Sequence, residues 1–564
     1  MTALASPSRT RATTTNGTGL ADWLNNPLKS LTRCFVQTLT FFPAAEYYSY
    51  TMSSNMIDRL RSKKSVRSLN DGDKVLRKLS PVEHLQAAHY SLGAIIGCAI
   101  SCRYRIPGAL LTSDAAAFQV IVENAFARAI LRHPLFTVGR INADSKKQYW
   151  VRLDQIDLNN HIEWRTVSDH EAYESILHAI LEWQVNEPYT NLETQPGWRA
   201  TVLRPAESNF IDIIFAWEHT AADGKSGKVF QDSLFACLNT PDDDTVILKD
   251  RIFEVPNTEL TPPLHHLIKL PVSLHFIVGE FGRDIIASMK AKELPHMATW
   301  APIPTEPSTT SMVATKVGKK ALKPVLDACR EHGTTLTGLM HALIAVSMAT
   351  RLAEIKASAF LCGTPVCLRQ FQKPGHPRID MNKTAINSVA YWPFTFDEEL
   401  VAKVREQINE AQTKPNMSAN LEAAVWSCAK AIRDGLSAKL DLGTKNDHIG
   451  LAKFVKDWQS FVKDHGKTRS YSWEISNLGV IQGKTEGSWA IESATFTQTA
   501  PTFGSALTFS VISAQGGDLV VTNTWQVGVV EEEFALGVSS DVEGWLNELG
   551  STGSINFGAV GVPG

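Results

Sequence analysis

The sequence predicts a mixed α/β fold of the α+β kind, arranged in two blocks. Three observations carry that expectation. At 564 residues the chain exceeds the size at which a single hydrophobic core stops growing. From residue 79 onward, short β-branched and aromatic runs alternate with segments of helical periodicity. Between roughly residues 241 and 310 the composition shifts to acids and prolines, and a second block of the same kind then begins.

Composition bounds the function. Hydrophobic residues make up 44% and charged residues 20%, with a net charge of −3, as in an ordinary soluble globular protein. There is no basic excess for nucleic acid. Cysteines 34, 98, 102, 237, 329, 362, 367 and 428 are scattered without C-x-x-C spacing, so they read as reduced core thiols of an intracellular protein, and no metal site is expected.

Residues 1–22 are rich in Thr, Ser and Ala, lack an apolar segment of signal-peptide length, and are expected to be disordered. Residues 23–78 read as a helical extension, since Leu28, Leu31, Phe35, Leu39 and Phe42 fall at helical spacing after Pro27. The helix over residues 27–42 either docks on the body of the protein or lies on a membrane surface. Lys29 and Arg33 alone decorate its polar face, which would hold anionic lipid weakly. The longest uncharged apolar stretch, Leu92–Ile100, is about half a membrane span. The expected location is therefore the cytoplasm, with an endomembrane or lipid-droplet surface as the alternative.

The first globular block is expected over residues 79–240. Ala115–Leu131 is apolar-periodic and ends at the breaker His133-Pro134. The runs LFTVGRI, QYWVRL, HIEWRTV and WRATVL read as strands, with a helix over residues 168–186 separating the last two. The run Ile211–Trp217 reads as a mostly buried strand, the small residues that follow as a turn, and Phe230, Leu234, Cys237 and Leu238 as one face of a departing helix.

Residues 241–310 read as a crossover or linker, and residues 311–549 as the second block. There, Gly333–Leu352 is a helix with threonines at its amino end. Ser358–Gln370 is a buried strand with a proline break, and Leu400–Ile432 is helical with a break near Pro415. The runs SALTFSVISA and DLVVTNTWQV form a hairpin through Gln515, Gly516 and Gly517, followed by a helix over residues 531–549. Residues 550–564 are Gly-rich and expected to be loose.

The strand-turn-helix unit places His219 after a buried strand and Asp223 four residues later. A neutral imidazole takes a proton at physiological pH if it is held in place, and a turn after a buried strand holds it. The spacing has little weight by itself: with 16 histidines, roughly one H-x-x-x-D arises by chance. His376 and Asp380 supply such a copy, after Lys-Pro-Gly and with no strand or helix around them. The competing reading of His219 is a buried histidine bonded to main chain, with Asp223 capping the helix.

The context of His219 resembles the fungal alcohol O-acetyltransferases within the H-x-x-x-D-G acyltransferase superfamily. That group includes chloramphenicol acetyltransferase, the plant BAHD enzymes and peptide-synthetase condensation domains. The resemblance runs in order through LSPVEH, EWQVNEPYT, WRATVL, IDIIFAWEHTAADGKSGKVFQDSL, TTLTGLMHAL, PVCLRQ, EISNLG and the closing hairpin, over Leu79 to Leu549. The D-F-G-W-G motif of the plant branch is absent.

The resemblance implies two chloramphenicol-acetyltransferase-like domains with the active site in a channel at their interface. It implies that His219 deprotonates an alcohol that attacks acetyl-CoA without a covalent acyl-enzyme, with acetyl-CoA as co-substrate and no tightly bound cofactor. Asp223 would be structural, paired with an arginine that Arg369 matches best, and Gly224 would keep a side chain out of the channel. For the oxyanion the candidates are Ser476, Asn477, Thr497 and Thr499. The chain is expected to be a monomer. The acceptor is open among small alcohols, sterols and fungal secondary metabolites. The alternatives are a carrier-protein thioester as donor and a non-catalytic binding protein of the same fold.

Overall fold

The computed structural model describes residues 74–557 apart from 144, 170, 241–245, 258, 281–293, 306–307, 375–378, 414–417, 465–467 and 484–486. The expected disorder at 1–22, the helix at 27–42 and the second spacing's His376 lie outside the described residues.

In chain order the first half holds β1 (Val75–Lys78), α1 (Pro81–Ser91), β2 (Cys98–Arg105), α2 (Ala115–Leu131), β3 (Val138–Ile141) and β4 (Tyr149–Arg152). It continues with β5 (Gln155–Asp157), β6 (Ile162–Val167), α3 (Tyr173–Asn186), β7 (Trp198–Pro205), β8 (Phe210–Trp217) and α4 (Gly224–Asn239). After β9 (Ile252–Glu254) and the single turn α5 (Leu264–Leu267), the second half opens with β10 (Thr310–Val317), α6 (Lys319–Glu331), α7 (Leu336–Arg351), β11 (Phe360–Cys367) and β12 (Val389–Phe396). It closes with α8 (Glu398–Thr413), α9 (Ser418–Asp441), α10 (Trp458–Asp464), β13 (Tyr471–Ile481), β14 (Ala490–Gln498), β15 (Ser505–Ala514), β16 (Leu519–Gln526) and α11 (Glu532–Thr552).

A five-stranded sheet runs β14-β2-β8-β7-β6 and a six-stranded sheet runs β10-β16-β15-β13-β11-β12. The hydrophobic alternation of β8 decides which layer each side chain joins. Ile211, Ile213, Phe215 and Trp217 enter the larger core of the first half, where Phe215 stacks on Phe230 of α4 at 3.8 Å. Ile214 and Ala216 face the opposite side, under α3. The early charge on that side, Asp212, is bound by Arg103 at 2.9 Å and by the Tyr173 hydroxyl at 2.7 Å, so burial leaves no unpaired charge.

Several expectations are corrected. Residues 75–78 are a strand paired with β4, not the end of a helical extension. Residues 252–254 pair with β5, so part of the expected crossover belongs to the first half. The strand β11 runs through Pro365 without a break; its parallel pairing with β13 involves Cys362 and Gly363 and ends before the proline, which has no N–H to donate. The boundary of the second block is crossed by β14, which pairs with β2, Thr497 opposite Ala99, and completes the first sheet. The tail is not loose from residue 550: α11 ends at Thr552 on Gly553, whose φ of 82° suits glycine, and Ile555 and Phe557 are buried in the second core.

Candidate active site

Between the two halves lies a cavity of about 620 Å³ whose wall includes His89, His219, Asp223, Gly224, Lys225, Arg369, Glu474, Ser476 and Thr499. The turn that carries His219 is fixed at both ends. On its amino side the Glu218 N–H donates to Gly197 at 2.8 Å, and the Glu218 carboxylate takes the Arg140 guanidinium at 3.0 Å in full burial. On its carboxyl side Trp217 reaches over the turn, its indole N–H donating to the Ala222 carbonyl at 3.0 Å.

Asp223 does two jobs at once. Its Oδ1 caps α4 by accepting the Ser226 N–H at 2.9 Å, and it accepts the Arg369 Nη2 at 2.9 Å. Its Oδ2 accepts Arg369 Nη1 at 2.7 Å and the Ser388 N–H at 2.9 Å. Burial pushes this carboxyl up, but the Arg369 charge together with the hydrogen bonds from Arg369, Ser388 and Ser226 outweighs it and holds the group below the ordinary aspartate value. Arg369 is 1% exposed and spends its remaining donors on the Met381 and Ile386 carbonyls and on Ser226. Helix capping and the cross-half ion pair are therefore both features of Asp223.

Interaction of the His219 imidazole with its own main-chain carbonyl favours the protonated ring. Only Nδ1 can reach that oxygen, and a proton on Nδ1 would leave the Nε2 lone pair for a ligand. Asn387 donates to the same carbonyl at 2.8 Å; its 3.4 Å approach to Nδ1 is too long to compete. Burial lowers the His219 pKa, while the carbonyl bond and the Asp223 charge act the other way. A second imidazole, His89 on α1, is held near 4 by burial and by repulsion from His219.

The remaining candidates separate cleanly. Ser476 is 8% exposed, lines the cavity, and its hydroxyl meets no hydrogen-bond partner among the described residues. Asn477 spends its amide on Thr337 at 3.2 Å and its carbonyl on the Gly479 N–H at 2.8 Å. Thr499 accepts from the Gly97 N–H at 3.0 Å and donates to the Val185 carbonyl at 2.8 Å, so its hydroxyl is committed to main chain. Thr497 is fully buried against Met312 and is not part of the cavity wall. Cys367, expected in the core, is exposed and lines the cavity.

Gly224 is the first residue of α4. A Cβ there would stand 3.0 Å from Phe496 and 3.4 Å from Leu478, so the missing side chain admits β13 and β14 rather than opening a channel. The sequence reading missed Asn387, Ser388 and Ser226, which dock the second half on the turn; KTAINS has no pattern that marks it. It also missed Glu474, for which a signal existed: it is the single charge in the buried strand YSWEISNLGVI.

The class of this protein, an acyl-transferring enzyme, is shown by its family. The model of the family described as alcohol acetyltransferase matches residues 151–533, more than half of the chain, and the chain belongs to that family. Among curated proteins it is 28% identical over 504 residues to the probable alcohol acetyltransferase FCK4 of Fusarium pseudograminearum, covering 86% of this chain and 97% of that one. It is 24% identical to the probable alcohol acetyltransferase crmB of Aspergillus fumigatus, covering 80% and 95%. Among solved structures, the trichothecene 15-O-acetyltransferase TRI3 of Fusarium sporotrichioides superposes with a TM-score of 0.61 at 13% identity, over 84% of this chain and 95% of that one. The first condensation domain of the calcium-dependent antibiotic synthetase gives 0.51 at 12%, over 87% and 100%. At such identities the likeness establishes the fold, two chloramphenicol-acetyltransferase-like halves.

Proposed function

We propose that the protein transfers the acetyl group of acetyl-CoA to an alcohol hydroxyl, with His219 as general base and no covalent acyl-enzyme. The observation that carries this reading is His219 on the cavity wall, in the turn that the Asp223–Arg369 pair locks, with Nε2 meeting no hydrogen-bond partner among the described residues. The alcohol gives its proton to Nε2 as its oxygen attacks the thioester carbonyl. The tetrahedral oxyanion collapses, the C–S bond breaks, and the imidazolium returns the proton to the departing sulfur. A positioned base contributes about 10²- to 10⁴-fold. For the oxyanion, Ser476 is the supported donor, because its hydroxyl is uncommitted while those of Thr497 and Thr499 are spoken for.

Asp223 and Arg369 act as struts that fix the turn, and Lys225 is the cation on the cavity wall suited to an anionic donor. Purified protein with acetyl-CoA and a panel of alcohols is expected to release free CoA, and His219→Ala is expected to abolish that release. Undiminished turnover in His219→Ala overturns the base assignment. The same panel, run against an acyl carrier protein loaded as thioester, tests the donor.

A further inference from the structure

Strand β13 sorts its side chains by parity. From Trp473 to Ser476, Trp473 and Ile475 enter the core of the second half whereas Glu474 and Ser476 line the cavity; toward the strand ends Tyr471, Asn477 and Leu478 line it as well. The Glu474 carboxylate accepts the Tyr391 hydroxyl at 2.5 Å on Oε2, and on Oε1 it has a long 3.4 Å contact from the Gln498 amide. The tyrosine reaches it across Gly363, the pairing partner of Glu474 on β11: a Cβ at Gly363 would fall 2.3 Å from the Tyr391 hydroxyl oxygen.

Glu474, half-buried, differs from the fully buried acids among the described residues. Glu83, Glu123, Asp212, Glu218 and Asp223 each meet an arginine, Arg77, Arg251, Arg103, Arg140 and Arg369 respectively, while Asp447 meets Lys439 and Glu280 meets His448. Glu474 pairs with no cation among the described residues, and burial raises its pKa, with the Tyr391 bond offsetting part of the rise. Even partial withdrawal of an acid from water without a counter-charge costs stability unless something else satisfies it. Glu474 lines the cavity, and Oε1, held only by the long Gln498 contact, has a lone pair left for a further donor.

We propose that Glu474 is an acceptor-recognition residue whose Oε1 takes a hydrogen bond from a second polar donor on the alcohol, remote from the hydroxyl that is acetylated. The inference rests on the acetyl-transfer reading above. Glu474 and Ser476 are two residues apart on one face, which separates them by about 7 Å along the strand. The substrate class that fits is an alcohol with a second hydroxyl or N–H at that order of separation from the reacting hydroxyl. Acetyl-CoA is a poor match for this subsite, because its phosphates are anionic and a carboxylate repels them.

The test is a series of α,ω-alkanediols of increasing length set against the 1-alkanols of the same lengths. In the wild type the ratio of diol to alkanol kcat/KM is expected to peak at one length, at about 10- to 100-fold, as one hydrogen bond to a charged group provides. In Glu474→Leu the peak is expected to vanish. Glu474→Gln, which keeps a partner for Tyr391 and guards against a folding defect, is expected to reduce it. A flat wild-type ratio, a peak that survives Glu474→Leu, or a raised KM for acetyl-CoA without loss of the peak overturns the inference. Failure of the acetyl-transfer reading is distinguished by wild-type protein that turns over neither series. The ratio is then read as binding by calorimetry with the same diols and alkanols, where heats that do not differ between wild type and Glu474→Gln overturn the inference.

Discussion

Asp223 and Arg369, 146 residues apart, form a two-pronged ion pair with Nη1 2.7 Å from Oδ2 and Nη2 2.9 Å from Oδ1. Asp223→Asn cannot preserve it. Both carboxylate oxygens face N–H donors, Ser226 and Arg369 on one and Ser388 and Arg369 on the other, so the amide NH₂ meets a donor whichever way it turns. Removing one partner of a buried pair costs about 3–5 kcal/mol. Asp223→Asn is expected to lower the unfolding midpoint in denaturant and, by displacing His219, to reduce kcat by up to about 10²-fold, with little change in the acceptor KM. A raised acceptor KM at unchanged stability would assign Asp223 to the substrate instead.

The pH profile follows from the sign of the His219 shift. Burial lowers its pKa from the ordinary 6.5, so the imidazole is neutral, and able to take a proton, at pH 7. The acid limb of kcat/KM is therefore expected below pH 6.5, with a plateau above it. Asp223 raises this pKa through its charge, so Asp223→Asn, where it remains active, is expected to move the limb to lower pH still. A limb above 6.5 contradicts the arrangement.

The β8-turn-α4 unit was legible because its signals are local: a continuous β-branched and aromatic run in the strand, then Phe230, Leu234, Cys237 and Leu238 on one helical face, all buried as expected. Arg369 came from the resemblance to a family, since nothing in PVCLRQ announces an ion pair 146 residues away. The transfer of β14 into the first sheet was illegible for the same reason: its partners lie on β2, and strand pairing at that separation leaves no mark on either segment. Thr497 and Thr499 are separated by the end of β14 at Gln498, which no local signal marks: Thr497 is buried against Met312 and Thr499 turns to Gly97 and Val185. Cys367 shows the converse error, an apolar neighbourhood in sequence that opens onto a cavity in space.

Two glycines of α4 differ in what they admit. At Gly224 a Cβ meets the Phe496 ring tip at 3.0 Å, which a small ring shift relieves. At Gly227 it would lie 2.0 Å from Trp217 Cη2 and 2.9 Å from Ile100, and the indole is locked by its bond to Ala222. Gly227→Ala is expected to destabilise by about 1–3 kcal/mol or more, and Gly224→Ala by clearly less. Chemical denaturation of the two variants checks the order.

Acid stability turns on His341, buried in α7. The Trp473 indole N–H donates to its Nδ1 at 2.9 Å, so Nε2 carries the proton and donates to Thr364 at 2.9 Å. Protonating Nδ1 removes the acceptor of a buried indole, and burial holds this histidine near pH 3, against 6.5 when unfolded. The folded value lies below the unfolded one, so the contribution is fully present above pH 6.5 and is lost as pH falls toward 3. Buried His133 and His161 shift the same way and steepen the loss. Unfolding free energy measured from pH 8 downward is expected to fall below about 6.5 before carboxylates titrate. His341→Gln keeps an acceptor for Trp473 and a donor for Thr364 without a titrating group, so its curve is expected to be flatter than that of wild type. An unchanged slope in that variant would remove His341 as a source of the acid sensitivity.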